Sequence, residues 1–468
     1  MMILSPLSVI ALLGIVKGGE VCYDKIGCFN DDIPWSGTEE RLISRLPWSP
    51  EEIGISFLLH TRENPLDYHE VQAFNESTLS TSNFKNSRKS RFVIHGFISE
   101  GEASWLEDMC NEMLKVEDIN CFCVNWQRGA HALYTQAVNN VRVVGAVLAY
   151  FIDTLMNTTG YSPSNVHLIG HSLGAQVSGE AGKRRPGISR ITGLSPAGPY
   201  FQGTPPEVRL DITDAELVDV IHTDTSSLIA HLGFKGYGTS QLLGNLDFFP
   251  NGGEGMPGCE FHITMLFHPD ELWKDGGLFA CNHLRSYRYY TATISNREGF
   301  IGFKSDSYEH FQLGEGFPCP AIGCPLMGHY ADTYAGITPD NQVFYLDTAA
   351  ETPYSSWRYK ITVRVKDMMT LLQDSQISLH GSLGQTNKYQ IYSGYITEDA
   401  IYTTYIDVEL YVGELTQVIF HFKEDLPDFL QPPLANETIA IQFGKDGKMY
   451  NFCGNETLEK QAIYLPLC

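Results

Sequence analysis

Hydrophobic and polar positions divide the chain into two regimes. Before about residue 352, short and almost wholly apolar runs alternate with stretches of helical periodicity. Arg91-Phe92-Val93-Ile94-His95-Gly96-Phe97 reads as a buried strand running into a glycine turn, and Cys121-Phe122-Cys123-Val124-Asn125-Trp126 as a second. Trp48-Ser49-Pro50 and the region after it prepare a first strand pair. Tyr134 to Met156 places apolar residues at helical spacing without a breaker, which predicts a long amphipathic helix. His167 to Ile169 is a strand, Leu173 to Lys183 a helix, and Arg190 to Leu194 and Leu217 to Ile221 are further strands. Strands alternating with helices predict a mostly parallel sheet covered on both faces, with reactive residues at the carboxyl ends of strands.

After about Thr352 the period changes to two. Trp357 to Val365, Gln376 to Leu383, Tyr389 to Tyr395, Ile401 to Val412 and Thr416 to Phe422 alternate apolar and polar residues between turn signals. That predicts an antiparallel β-sandwich of roughly 110 residues. The boundary falls near 353–356. The chain has neither internal repeats nor low-complexity segments.

Composition narrows the class. At 468 residues, 43% hydrophobic and 19% charged, the chain is globular and long enough for more than one core. A formal net charge of −23 argues against nucleic acid and against electrostatic docking on anionic membranes. Met1 to Gly18 reads as a secretory signal, although no Lys or Arg precedes its apolar run. No later run reaches the roughly 18 apolar residues of a membrane span. Eleven cysteines and the sequons at Asn75, Asn157, Asn436 and Asn455 agree with an oxidising, extracellular route.

The chemistry centres on Gly170-His171-Ser172-Leu173-Gly174. A Gly-x-Ser-x-Gly between a buried strand and a helix has the form of a nucleophile elbow. The glycines let the backbone turn sharply, with Ser172 at the apex and a helix N-terminus behind it. Acyl transfer by serine also needs a base, a group orienting that base, and oxyanion donors. His283, within Cys281-Asn282-His283-Leu284-Arg285-Ser286-Tyr287, is the candidate base.

Longer motifs make the pattern specific. Gly170 to Gly174, Arg190-Ile191-Thr192-Gly193-Leu194, Phe201-Gln202-Gly203-Thr204-Pro205, Val218 to Asp224, Leu246-Asp247-Phe248-Phe249-Pro250-Asn251-Gly252-Gly253, Met256-Pro257-Gly258-Cys259 and Cys281 to Tyr287 occur together and in order. Together they resemble the pancreatic lipase family over essentially the whole mature chain. The resemblance implies an α/β-hydrolase lipase domain over 19–353 and a lipid- and colipase-binding β-sandwich of the PLAT (C2-like) type over 354–468. It implies a secreted hydrolase of triglycerides or related glycerolipids working through an acyl-serine. Ser172 becomes the nucleophile, His283 the base, and the amides of Phe97 and Leu173 the oxyanion hole.

One position departs from the family. Where the family reads Gly-Leu-Asp-Pro-Ala, this chain reads Gly193-Leu194-Ser195-Pro196-Ala197, so Ser195 stands where the acid belongs. A hydroxyl can accept from the imidazole but carries no charge to stabilise imidazolium, and loss of that carboxylate in a serine-protease triad lowers turnover about 10⁴-fold. Asp224, at the end of the next strand, is either a substitute acid or a family loop residue. The chain is accordingly a lipase of reduced turnover, or an inactive homologue that binds lipid interfaces or colipase.

The same resemblance implies five disulfides, Cys22–Cys28, Cys110–Cys121, Cys259–Cys281, Cys319–Cys324 and Cys453–Cys468, with Cys123 left as a buried thiol. A family bridge over about 300–316 is missing, both its positions being non-Cys near Lys304 and Gly314 to Gly316. The Cys259–Cys281 loop carries Leu266, Phe267, Leu272, Trp273, Leu278 and Phe279 among charged residues, and is expected to be a lid over the cleft. Lys235-Gly236-Tyr237, beside Phe234, looks like an insertion and alters a neighbouring loop. Val208-Arg209-Leu210-Asp211-Ile212-Thr213-Asp214 matches a structural calcium loop. Its ligands would be the Asp211 and Asp214 side chains and the Arg209 main-chain oxygen. The family's upstream Glu aligns with Pro206, which can offer only its main-chain oxygen.

Overall fold

The computed structural model describes residues 18–65, 67–97, 103–225, 236–259, 280–364, 375–393, 401–421, 438–453, 457–459 and 462–468. The N-terminal apolar segment, nearly all of the expected lid, Phe234, Lys235 and the sequons at 436 and 455 lie outside the described residues.

A small hairpin, β1 (Glu20–Tyr23) and β2 (Gly27–Asn30), precedes the main sheet. The sheet comprises β3 (Ser56–His60), β4 (His69–Val71), β5 (Ser90–Ile94), β6 (Asn120–Asn125), β7 (Val166–His171), β8 (Arg190–Leu194), β9 (Leu217–Ile221), β10 (Leu246–Pro250), β11 (Phe303–Lys304) and β12 (Gln342–Leu346). Its spatial order is β11-β12-β10-β9-β8-β7-β5-β6-β3-β4. The seven strands from β12 to β6 run parallel, and antiparallel strands flank them on both sides. This is the α/β-hydrolase arrangement that the alternation of strands and helices predicts.

Apolar runs replace alternation here because both faces are covered. Along β5, Phe92 and Ile94 enter one core while Val93 enters the other. Along β7, Leu168 and Ile169 divide in the same way. The Tyr134–Thr159 and Leu173–Arg184 helices pack into the first core; the Ala103–Val116 and Cys281–Ser295 helices pack into the second. The Tyr134–Thr159 helix is long and apolar enough to cross a membrane, but Val138, Val141, Val144 and Leu148 are buried in the core. Gly160, with φ 70°, ends it three residues beyond the last expected turn. The sheet is wider than the pattern predicts. Leu246–Pro250 and Gln342–Leu346 extend it, and the first of these hides the wholly buried Asp247 inside an apolar run.

The C-terminal region is a sandwich. β13 (Trp357–Arg364), β17 (Ile401–Val408), β19 (Thr438–Phe443) and β20 (Met449–Cys453) form one sheet in the order β17-β13-β19-β20. The other contains β14 (Ser375–Gly381), β15 (Gly384–Gln385), β16 (Tyr389–Tyr392), β18 (Leu415–His421), β21 (Thr457–Glu459) and β22 (Ala462–Pro466). Trp357, Tyr359, Ile361 and Val363 face inward while Lys360 and Thr362 are only partly covered, which is the period of two read from sequence. All five expected disulfides are present. Cys123 is free and buried, and burial pushes its thiol well above the usual range.

Candidate active site

Ser172 stands between β7 and the Leu173–Arg184 helix with φ 56° and ψ −119°. A non-glycine residue in this region is strained, and such strain persists only where its surroundings enforce it. The enforcement is steric. A Cβ on Gly170 would overlap the Gly174 carbonyl oxygen, and one on Gly174 would overlap the Ile94 carbonyl oxygen. A Cβ on Gly96 would overlap the Ser172 side chain. The Ser172 N–H donates to the Leu194 carbonyl at 3.0 Å, and the Ala197 N–H donates to the Ser172 carbonyl at 3.2 Å. Leu173 is the first residue of its helix, so its N–H has no intrahelical acceptor. Phe97 follows β5 and packs edge-on against Tyr134, with ring centroids 5.0 Å apart.

Several residues to which the sequence assigns no role hold this geometry. The His95 carbonyl accepts from Trp126 Nε1 at 2.9 Å, and the two rings stack. That fixes the chain just before Phe97. His171 Nε2 lies 3.3 Å from the His283 carbonyl oxygen, and the two imidazoles are 4.7 Å apart. Trp105 and Tyr287 close around His171. The residue before Ser172 is therefore bonded directly to His283. Burial lowers His171 and His95 to about 4, so both are neutral at physiological pH.

His283 sits in the first turn of the Cys281–Ser295 helix, whose first residue is tied by the disulfide to Cys259. Burial, reinforced by His171, holds its pKa well below the ordinary histidine value. Its Nδ1 lies 2.9 Å from Ser195 Oγ and 3.8 Å from Asp224 Oδ2. Ser195 follows β8 with φ 41°, and its N–H donates to the Ile221 carbonyl at 2.8 Å. Asp224 follows β9 and is 3% exposed. Burial raises its carboxyl to about 6, while the amides of Tyr237 and Gly238 act in the opposite direction.

The insertion-like segment reaches this group. The Tyr237 N–H donates to Asp224 Oδ2 at 2.8 Å, and the Gly238 N–H donates to the Asp224 carbonyl at 3.1 Å. The Tyr237 ring lies 5.8 Å from the His283 ring. A Cβ at Gly238 would lie 2.7 Å from Ser195 Oγ, so glycine there leaves room beside the hydroxyl. Behind Asp224, His222 Nδ1–H donates to the Thr239 carbonyl at 2.9 Å, and its Nε2 lies 2.8 Å from Oδ1 of the buried Asp247. Ser195 and Asp224 thus converge on the same nitrogen of His283.

The expected calcium loop is close to this site but its donors are engaged. Lys183 Nζ donates to the Arg209 carbonyl at 2.7 Å and to Asp214 Oδ2 at 2.6 Å. Arg209 donates to Asp211 Oδ2 at 2.9 Å, and Asp211 Oδ1 accepts from the Thr213 hydroxyl at 3.0 Å. Calcium takes six to eight oxygens from a flexible, net-negative shell. Two carboxylates balanced by two cationic side chains do not fit that description.

The Lipase family profile matches residues 19–354. Pancreatic lipase-related protein 2 of Bos taurus is 47% identical over 456 residues, with 97% of each chain covered. Pancreatic triacylglycerol lipase of Homo sapiens is 48% identical over 456 residues, again with 97% of each chain covered. Inactive pancreatic lipase-related protein 1 of Homo sapiens is 46% identical over 455 residues, covering 97% of each chain. The chain belongs to the Lipase family, within a pancreatic lipase-like group that holds both active lipases and an inactive relative.

Proposed function

We propose that this chain hydrolyses triglycerides or related glycerolipids through an acyl-Ser172 intermediate, at a turnover reduced by the hydroxyl at position 195. The observation that carries the reading is the convergence of Ser195 and Asp224 on His283 Nδ1, at 2.9 and 3.8 Å. With its proton on Nδ1, His283 donates to Ser195 Oγ and keeps Nε2 free to take the proton of Ser172 as the hydroxyl attacks the acyl carbon. The Leu173 and Phe97 amides receive the oxyanion. The imidazolium then protonates the leaving alcohol, and water releases the acyl group. In this division of labour Ser195 fixes the tautomer and Asp224 supplies the charge. At 3.8 Å and an effective dielectric near 20, that charge is worth about 4 kcal/mol to an imidazolium. A family Asp would do both tasks from hydrogen-bonding distance.

An activated ester assayed for a burst, together with a serine-directed phosphonate, tests the reading. Labelling at Ser172 with slow steady turnover is the expected result. A second reading has its own support: the nearest partner of Nδ1 is uncharged, and Asp224 Oδ2 already accepts from Tyr237. On that reading the chain adsorbs to lipid surfaces, or holds colipase, without turning over. Adsorption to triglyceride emulsion with neither burst nor Ser172 labelling would establish it.

Secretion is supported by five disulfides, which persist in oxidising compartments. A lid between Cys259 and Cys281, a lipid- and colipase-binding role for the sandwich, and glycosylation at the exposed Asn75 and Asn157 rest on the sequence and on the family resemblance. Co-sedimentation with colipase on emulsion, with and without residues 354–468, tests the partner.

A further inference from the structure

We propose that Lys183 is the resident cation of the 208–214 loop: its ammonium occupies the place where the family resemblance puts calcium, and the loop holds its shape without a divalent ion. The contacts are specific. Lys183 Nζ binds the Arg209 carbonyl and Asp214 Oδ2, which are two of the four expected ligand groups. Asp214 is 2% exposed at its side chain and Lys183 22%, so the pair is shielded from bulk water. Asp214 Oδ2 also accepts the Asp211 N–H at 2.9 Å, and this closes the turn in which Asp211 caps residues 212–214. The second carboxylate, Asp211, is bound by the Arg209 guanidinium, which also donates to the Thr204 carbonyl at 3.0 Å.

The charges in the loop balance. Lys183 and Arg209 carry two positive charges against the two negative charges of Asp211 and Asp214. A divalent ion entering this neutral cluster would meet an ammonium at the position it needs. The family's remaining ligand position is Pro206, which brings no charge to offset it. A cationic side chain on the last turn of the preceding helix reaches these oxygens because the helix lies close to the loop. A Cβ on Gly182 would overlap the Asp214 carbonyl oxygen, and one on Gly179 would lie 2.8 Å from Leu210 Cα. The helix C-terminus also favours a cation at Lys183.

The consequence reaches the nucleophile. The same helix begins immediately after Ser172. Gln176, one turn in, accepts the Leu210 N–H at 2.7 Å and donates to the Ala197 carbonyl at 3.1 Å. Lys183 secures the far end of that helix to the same loop. The segment after Ser195 is thereby clamped to the helix carrying Ser172 by side chains of this chain alone.

The test uses the full-length protein, melted in millimolar CaCl₂ and in EGTA, alongside Lys183→Met and Lys183→Arg. The wild type is expected to melt at one temperature in both buffers, with no heat of calcium binding in calorimetry. Lys183→Met is expected to melt lower in EGTA and to regain stability with CaCl₂, because a ligand bound only to the folded state stabilises it. Lys183→Arg keeps a cation and is expected to stay calcium-insensitive. A saturable rise in the wild-type midpoint with CaCl₂ overturns the proposal. So does a Lys183→Met protein as stable as wild type in EGTA. Should Lys183→Met fail to fold, the wild-type and Lys183→Arg measurements decide the matter.

Discussion

Asp224 Oδ2 stands 3.8 Å from His283 Nδ1, while Ser195 Oγ fills the hydrogen-bonding position at 2.9 Å. The two side chains come from the ends of adjacent strands, β8 and β9, whose register sets Leu194 beside Ile221. With a hydroxyl at the end of β8 and the carboxylate at the end of β9, a charge remains near the imidazole but without a direct bond to it.

Asp224→Asn is the sharpest test of that arrangement. If the carboxylate stabilises the imidazolium, kcat falls on the order of 10²-fold, within the roughly 4 kcal/mol available at this separation. An unchanged rate would show that Ser195 is the sole partner of Nδ1. The pH profile discriminates further. Asp224 is raised to about 6 while His283 is held well below its ordinary value, so the acidic limb of kcat/KM is expected near pH 6 and belongs to Asp224. Asp224→Asn should remove that limb.

Stability should move the opposite way in the same variant. The folded-state pKa of Asp224 is raised above its ordinary value of 3.8. Its contribution to stability is fully present below about pH 3.8 and is lost as pH rises through about 6. Above that, keeping the buried carboxylate ionised costs about 3 kcal/mol, the free energy of a two-unit shift. Asp224→Asn is therefore expected to raise the melting temperature at pH 8 and to change it little at pH 4. A lower midpoint at pH 8 would mean the carboxylate is structural.

Ser195→Asp should raise turnover, on the order of 10²-fold or more toward the 10⁴-fold associated with a triad carboxylate. Gly238 leaves space beside the position. The gain is limited by a second carboxylate near the same nitrogen, since like charges resist joint ionisation. The double variant Ser195→Asp/Asp224→Asn is expected to match or exceed Ser195→Asp alone. If the double variant were slower than either single one, the two groups would be acting together and not in place of one another.

Much of this site is legible in the chain. Gly170 and Gly174 announce an elbow, and the structure gives each glycine a steric reason. Ser195 and Asp224 could be placed at strand ends because the runs before them are short and apolar. What periodicity does not encode is the contact between distant segments. Lys183 looks like an ordinary basic residue on a helix's last turn; only the close approach of Gly179 and Gly182 to the loop brings it onto Asp214. Tyr237 marks a longer loop in sequence, but its amide's hold on Asp224 depends on where that loop returns. Leu246 to Pro250 gives no alternating signal because its Asp247 is buried against His222.

Gly174→Ala should prevent folding of the elbow. The added Cβ would meet the Ile94 carbonyl oxygen, which is main chain in β5 and cannot swing aside. Overpacking in a close-packed interior costs about 1–3 kcal/mol and more where backbone must shift. The yield of folded protein and phosphonate labelling of Ser172 are both expected to fall. Normal yield with normal labelling would mean the strand and helix can separate there.

The other end of the sheet offers a prediction that leaves chemistry untouched. Arg190 pairs with Asp219 through Nε at 2.7 Å and a second nitrogen at 3.0 Å, and it also donates to the carbonyls of Gly328 and His329. Asp219 is fully buried and accepts further from Thr192, which contacts His167 at 2.8 Å. Desolvation of Asp219 is the dominant cost, and it raises the carboxyl against the pull of Arg190. Arg190→Met removes the compensation and leaves a buried charge with a hydroxyl as its side-chain donor, a change that typically costs about 3–5 kcal/mol. Arg190→Met/Asp219→Leu removes both charges and should recover much of that loss. Urea midpoints of the three proteins measure the difference. Equal destabilisation by the single and double variants would show that packing around the guanidinium, not its charge, holds β8 against β9.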